Sequence, residues 1–256
     1  MSQFGIAFLS ITPMRSDAGH RFEQVSQLLY GELFEIVGTK KEWKKIKCQY
    51  DGYEGWVLAA QIKELTLKQF QNISKKNETL VYDSFYTVSK NDAHFNILIG
   101  SVLREYDGLN YSFLNEKYLF QGNALAADFD QNIKLIDKIV LKYLNAPYLW
   151  GGRTPFGIDC SGFTQIVFKF LGIKLPRDSY QQAEMGKLVA FAEEARKGDL
   201  AFFGDTKITH VGIVLDDKKI IHASGRVRID VIDNFGIFNT ETNAYSHPMK
   251  IIKRLF

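Results

Sequence analysis

The pattern of apolar and polar positions changes character once along the chain. Up to about residue 65 it reads as short strands. "FGIAFLSIT", "LLYGELFEIVGT", "EWKKIKCQY" and "YEGWVLAAQIKEL" are apolar or alternating runs separated by glycine or charged turns. No amphipathic helix interrupts them, which predicts a small all-β barrel over residues 1–65. Residues 66–122 continue in the same manner with "ETLVYDSFYTVSK", "FNILIGSVLREYDG" and "NYSFLNEKYLFQG", Asp107-Gly108 marking a turn. They predict a second, diverged barrel. "LLYGELFEIV" and "ILIGSVLREY" share an aliphatic run, a glycine and a following strand, a faint internal repeat.

From residue 123 the period lengthens. "DQNIKLIDKIVLKYLN" places Ile133, Ile136, Ile139, Val140 and Tyr143 at helical spacing, and Asn145-Ala146-Pro147 stops that helix. "SGFTQIVFKFLGI" predicts a second helix, beginning at Cys160 and ended by Gly172. Residues 199–204, "DLAFFG", read as a buried strand, and "MKIIKRLF" as a final one. "THVGIVLDDKKIIHAS" is two apolar runs around Asp216-Asp217, a hairpin. Helices first and strands after give residues 123–256 an α+β order.

Composition narrows the function classes. The apolar fraction of 46% is that of a globular protein, and a net charge of +3 is too small to argue for nucleic acid or membrane binding. Two cysteines cannot form a disulfide framework, and nothing resembles paired metal-ligand cysteines. No run reaches the roughly 18 apolar residues of a membrane span. The opening "MSQFGIAFLSITPMRS" has neither a basic n-region nor a long h-region, so the expected location is cytoplasmic, or periplasmic or extracellular if a leader has been removed.

Sparing use of cysteine makes Cys160 informative. It stands where the loop "GGRTPFGID" meets a helix. A helix N-terminus offers the positive end of the dipole and unpaired N–H groups, both of which lower a thiol pKa. The same N–H groups can stabilise an oxyanion. From position alone, a buried structural cysteine is an equal reading. The hairpin shifts the balance. His210 and His222 are equidistant from Asp216, so a hairpin centred there makes them cross-strand neighbours. One imidazole can then act as a base while the other orients it. A zinc site made from Cys160, His210 and His222 is the rival, with ligand types that suit the metal but no obvious fourth ligand.

"YLWGGRTPFGIDCSGF", "LPRDSYQQ", "GDLAFFG" and "THVGIVLDDKKIIHASG" resemble, in order and spacing, the NlpC-type papain-like cysteine peptidases, which cleave bacterial cell-wall peptides. The match covers roughly residues 130–256. "HRFEQVSQLLYGE" and "DGYEGWV" resemble the bacterial SH3-like barrels of one subgroup, the γ-D-glutamyl-L-diamino-acid endopeptidases of the dipeptidyl-peptidase VI type. The resemblance implies an α+β peptidase domain behind two small SH3-like barrels. It also implies roles. Cys160 is the nucleophile, His210 the general base, His222 its orienter, and Tyr148 an oxyanion-hole donor that would otherwise read as a core aromatic. Asp159 and Ser161 line the substrate groove, although Asp159 is equally a helix N-cap. Asp178 and Ser179 touch the N-terminal half of the substrate, and Trp150 walls the cleft. Glu23, Tyr53 and Asp178 are the candidates for a free L-Ala amine, because a buried ammonium needs anionic and hydrogen-bonding partners. The implied substrate is L-Ala-γ-D-Glu-L-diamino acid, as a murein tripeptide or tetrapeptide. No metal or organic cofactor is implied, and no nucleic acid or membrane partner. Recycling of freed wall peptides is the expected role, with hydrolysis of intact wall, the barrels serving as wall-binding modules, as the alternative.

Overall fold

A computed structural model describes residues 3–128, 130, 133–216 and 218–256. Gln131 and Asn132 of the first predicted helix and Asp217 of the predicted hairpin turn lie outside the described residues. The chain divides into two compact units, Met1–Phe129 with Lys169–Lys174, and Asp130–Phe168 with Leu175–Phe256.

The first unit holds two antiparallel sheets. Strands β1 (Phe4–Ala7), β2 (Ile11–Arg15), β3 (Gln24–Leu29), β4 (Leu33–Lys40), β5 (Trp43–Cys48), β6 (Glu54–Leu58) and β7 (Ile62–Leu65) are ordered β3-β2-β6-β5-β4-β1-β7. Their inward residues Ala7, Met14, Leu28, Phe34, Ile46 and Val57 form one core. Strands β8 (Glu78–Val81), β9 (Phe85–Lys90), β10 (Ala93–Leu98), β11 (Val102–Arg104), β12 (Asn110–Phe113), β13 (Glu116–Leu119) and β14 (Ala124–Leu125) are ordered β10-β9-β13-β12-β11-β8-β14. Strand for strand, this is the order of the first sheet.

The faint sequence repeat falls on one shared turn. Gly31 and Gly100 have φ of 83° and 84°, a left-handed conformation that glycine adopts without cost. The Gly31 N–H donates to Ala7 O and the Gly100 N–H to Val81 O, each at 2.9 Å. Each turn is also closed by the side chain that follows its glycine. Glu32 Oε2 accepts from Leu29 N–H at 2.9 Å, and Ser101 Oγ from Leu98 N–H at 3.2 Å. The two sheets share a second core in which Ile6, Tyr30 and Leu65 meet Val81, Ile97, Leu103, Tyr111 and Phe120. Arg104 Nη1 donates to Gly31 O at 2.5 Å, and Val102 N–H to Tyr30 O at 2.8 Å, fixing the turn of one sheet against a strand of the other.

A helix interrupts the stretch predicted to be all strand. Helix α1 (Leu67–Ser74) begins at a capping box in which Thr66 N–H donates to Gln69 Oε1 at 2.9 Å and Gln69 N–H to Thr66 Oγ1 at 3.3 Å. Only Phe70 and Ile73 give it an apolar face. Phe70 stacks on Phe4 with ring centroids 4.3 Å apart, and Ile73 enters the shared core.

In the second unit, helix α2 (Ile136–Leu141) follows a 3-10 turn at Ile133–Leu135. It ends earlier than the periodicity of the sequence, because the chain winds through i→i−3 turns to Asn145, which is left-handed at φ 64°. A short hairpin, β15 (Arg153–Thr154) and β16 (Gly157–Ile158), leads into helix α3 (Cys160–Phe170), which lies in this unit up to Phe168 and is buried at every position, its polar residues Ser161, Thr164, Gln165 and Lys169 included. After helix α4 (Ser179–Gln182) come β17 (Lys187–Val189), β18 (Leu200–Phe203), β19 (His210–Val214), β20 (Lys219–Ser224), β21 (Arg226–Ile232), β22 (Gly236–Asn239) and β23 (Ala244–Arg254). They form one antiparallel sheet in the order β17-β23-β18-β19-β20-β21-β22. No helix among the described residues is long and apolar enough to cross a membrane.

A methyl group on Gly31 would stand 2.1 Å from the Val102 carbonyl oxygen, whereas one on Gly108, also left-handed at φ 99°, meets nothing within 4 Å. Both alanine substitutions carry the left-handed penalty of about 1–2 kcal/mol. Gly31→Ala should cost about 1–3 kcal/mol more, because the obstacle is backbone. Equal losses in urea denaturation would contradict the close approach of the two sheets.

Candidate active site

Cys160 opens α3, and the residue before it prepares the helix. Asp159 accepts from Gly162 N–H on Oδ1 at 2.7 Å, and its carbonyl accepts from Phe163 N–H at 2.9 Å, so it is the N-cap. Arg177 grips the same carboxylate, Nη1 to Oδ1 at 3.0 Å and Nη2 to Oδ2 at 2.6 Å, and Gly151 N–H adds a bond at 2.8 Å. Ser161 Oγ takes a hydrogen bond from Arg177 at 2.9 Å. Asp159 and Ser161 are 4% and 6% exposed. The carboxylate expected to line a groove is thus saturated inside the protein, where it holds the start of α3.

The predicted hairpin is present, in a different register. β19 and β20 pair Gly212 with His222, Ile213 with Ile221 and Val214 with Ile220. His210 therefore lies two residues from the position opposite His222, diagonal to it on the same face. Gly212 makes the diagonal possible. A Cβ there would stand 2.9 Å from His222 Cβ, so only glycine leaves room for the imidazole to cross. His210 Nε2 and His222 Nδ1 are 2.8 Å apart. Both side chains are buried.

Two residues that the sequence reading missed complete the cluster. Asp230, on β21, stands 3.0 Å from His222 Nε2 through Oδ2. Arg228 holds that carboxylate with two bonds, Nε to Oδ2 at 2.7 Å and Nη2 to Oδ1 at 2.9 Å. β20 and β21 pair His222 with Arg228 and Ile220 with Asp230, so this second step is again diagonal by two residues. The available signal was an aspartate on a strand of alternating aliphatic residues, "VRIDVI". His247, from β23, stacks on His210 with ring centroids 4.2 Å apart and planes 25° apart. Ring nitrogens of His210, His222 and His247 lie within 4.8 Å of one another, and this is the group of metal-capable side chains among the described residues. Cys160 is outside it, and the His210–His222 hydrogen bond already engages one nitrogen of each.

Burial dominates the electrostatics. The helix start was expected to lower the Cys160 thiol pKa. Instead burial, helped by the Asp159 charge, pushes it up to about 12, against hydrogen bonds from the Val211 and Ser161 N–H groups and the charge of Arg177. The Val211 bond also places the sulfur against the head of β19, one residue from His210. Burial likewise holds His210 well below the ordinary histidine value, assisted by His222 and His247. His247 is lowered by burial to about 4. Burial works to raise Asp230 too, but hydrogen bonds from His222 and Arg228 prevail and hold it at about 2. Burial thus disfavours the charged form of both Cys160 and His210.

Tyr148 extends along Ile158 in a parallel bridge, and its N–H donates to Gly225 O at 2.9 Å. Burial, with the Cys160 and Asp159 charges, lifts its phenol to about 12, so it remains a donor near the sulfur. Trp150, in the same loop, is 57% exposed. Asp178 caps α4 and Ser179 begins it, the latter nearly buried. In the first unit, Glu23 is exposed just ahead of β3, and Tyr53 packs partly on the core of the first sheet.

Residues 145–245 match the model of the NlpC/P60 family, and residues 14–62 match that of the bacterial dipeptidyl-peptidase Sh3 domain. The γ-D-glutamyl-L-lysine dipeptidyl-peptidase of Bacillus subtilis (strain 168) is 28% identical over 219 residues, covering 77% of this chain and 71% of that one. A probable endopeptidase of Haemophilus influenzae is 34% identical over 119 residues, 45% of this chain and 73% of the relative. The crystal structure of an NlpC/P60 family protein from Bacillus cereus ATCC 10987 superposes with a TM-score of 0.81 over 98% of this chain and 99% of that one, at 21% identity, which shows the fold. Fold and site define a cysteine peptidase carrying a bacterial SH3 domain. The chain belongs to the NlpC/P60 family.

A thiol held near 12 is almost wholly protonated at neutral pH, and its thiolate fraction rises about tenfold per pH unit. Alkylation of Cys160 in the resting protein by iodoacetamide should therefore climb steadily between pH 7 and 9. A rate already at its plateau by pH 7 would show a preformed thiolate and contradict the dominance of burial.

Proposed function

We propose that this chain hydrolyses the amide between the D-Glu γ-carboxyl and the diamino acid of murein stem peptides that carry a free N-terminal L-Ala. The observation that carries the reading is the buried alignment of His210 on His222 beside a helix-start cysteine. It is supported by the relative named γ-D-glutamyl-L-lysine dipeptidyl-peptidase. The same reading takes residues 1–65 and 66–122 as two SH3-like barrels and residues 123–256 as the peptidase domain. The shared strand order of the two sheets supports the duplication.

In this reading His210 removes the Cys160 proton as the sulfur attacks the γ-carbonyl, so no charged pair need exist beforehand. The Tyr148 hydroxyl and backbone N–H groups at the start of α3 stabilise the oxyanion. His210 returns the proton to the leaving α-amine of the diamino acid. Water, activated by the same imidazole, then hydrolyses the L-Ala-γ-D-Glu thioester. Trp150, Asp178 and Ser179 contribute to the substrate cleft. Asp159 and Ser161 act on it through Arg177 and the helix start, because their own side chains are occupied.

A dipeptidyl-peptidase counts two residues from a free amine. Recognition of the L-Ala ammonium is assigned to Glu23, Tyr53 and Asp178, which makes freed fragments the substrate and recycling the role. N-acetylation removes the charge. Glu23 is exposed and Asp178 half-buried, so each pair lost costs up to about 1 kcal/mol, a fall of about fivefold in kcat/KM per pair at about 1.4 kcal/mol per tenfold. Glu23→Gln should slow the free-amine peptide and narrow its advantage over the acetylated one. Equal kcat/KM for both peptides would move the activity to intact wall, with the barrels as wall-binding modules.

A further inference from the structure

We infer that Asp230 is a positioning residue that orders the protons of both histidines and so keeps Nδ1 of His210 bare to receive the Cys160 proton. The inference rests on the roles proposed for Cys160 and His210. It follows from hydrogen-bond directions. The Asp230 carboxylate is 2% exposed and already accepts two bonds from Arg228, so towards His222 it can act only as an acceptor. His222 Nε2, 3.0 Å away, must then carry a hydrogen. Arg228 already balances the Asp230 charge, so we take His222 as a neutral imidazole, whose one N–H leaves Nδ1 as an acceptor. The atom 2.8 Å from it is His210 Nε2, which must donate. The single proton of His210 is then on Nε2, and Nδ1 is a lone pair.

The arrangement is built to run one way. Arg228 is itself anchored by Glu241 Oε2 at 2.8 Å and Asn239 Oδ1 at 2.9 Å, so the carboxylate cannot turn away from His222. Each step is diagonal by two residues across adjacent strands, which ties the chain from β19 through β20 to β21 to sheet register alone. Stacked His247 holds the plane of the His210 ring. When His210 takes the thiol proton, the positive charge that forms is two hydrogen bonds from a fixed carboxylate.

Asparagine at position 230 reverses the chain. Its oxygen remains the natural acceptor for Arg228, and its amide then donates to His222 Nε2. His222 becomes protonated on Nδ1, His210 Nε2 becomes an acceptor, and the remaining proton of His210 moves to Nδ1, where it blocks the base. An aspartate-to-asparagine change that imposes the wrong tautomer behind a catalytic histidine costs about 10⁴-fold in kcat in the serine-protease template. Here Asp230→Asn should lower kcat on γ-D-Glu-L-Lys peptides by a comparable order, about 10³–10⁴-fold, with KM little changed.

The experiment is two-dimensional ¹H–¹⁵N NMR of the imidazole nitrogens in the full chain labelled at histidine, with steady-state kinetics on the same samples. In the wild-type protein both His210 and His222 should be protonated on Nε2 and bare on Nδ1. Asp230→Asn should move both protons to Nδ1, while Asp230→Glu should restore the original pattern and part of kcat. A proton on His210 Nδ1 in the wild-type protein, a doubly protonated His222, or unchanged tautomers and kcat in Asp230→Asn would overturn the inference. The wild-type spectrum decides it even where a variant does not fold. It also separates this inference from the proposed function. The predicted tautomers in a protein that cleaves no murein peptide would leave the ordering intact and remove only the substrate.

Discussion

The 2.8 Å contact between His210 and His222 is the constraint on which the site depends. It joins two buried side chains that would each be costly to leave unsatisfied, and it can form only across a glycine. Register, not loop geometry, therefore fixes His210 against His222. The imidazoles sit on adjacent strands in the interior of an antiparallel sheet, with β18 and β23 on one side and β21 on the other. A rigid ladder of this kind holds reacting groups more precisely than a mobile loop does. The thiol meets the sheet from a helix whose start is itself over-determined by Asp159, Arg177 and Gly151.

Exclusion of water sets the chemistry. Isolated charges in such a site are expensive, so the protein either neutralises a group or pairs it. It disfavours the charged forms of Cys160 and His210, and it pairs Asp159 with Arg177 and Asp230 with Arg228. The two paired carboxylates flank the reacting groups from opposite directions in the sequence. One stabilises the helix that begins at Cys160, and the other faces His222. The proposed mechanism accordingly moves a proton between Cys160 and His210 only as substrate is attacked.

How much was legible in the sequence depended on whether a signal was local. The cysteine at a helix start and two histidines flanking an apolar hairpin are local patterns, and they singled out Cys160, His210 and His222, on which the proposed site is built. The hairpin centre was misplaced by one residue, which keeps every side chain on its face while turning a direct pair into a diagonal one. Asp230 and Arg228 were missed because their role arises from pairing with a strand that already carries His222. The reversal of the Cys160 shift was missed for a similar reason. The helix dipole can be read from a sequence, but burial at 6% exposure comes from the whole fold. In the first unit the repeat was faint because little survives of it beyond a glycine turn, whereas the strand order shared by the two sheets is complete. Helix α1 escaped because its capping box lies in a polar stretch with only two core residues.

The central claim is that Cys160 forms a covalent acyl intermediate with the γ-glutamyl group. Acid quenching of the protein during turnover of L-Ala-γ-D-Glu-L-Lys, followed by mass spectrometry of its peptides, tests this directly. The account predicts an L-Ala-γ-D-Glu adduct on the peptide containing Cys160, present within the first turnover and cleared when substrate is exhausted. Hydrolysis that proceeds with no adduct at Cys160, or with an adduct on another residue, would contradict it.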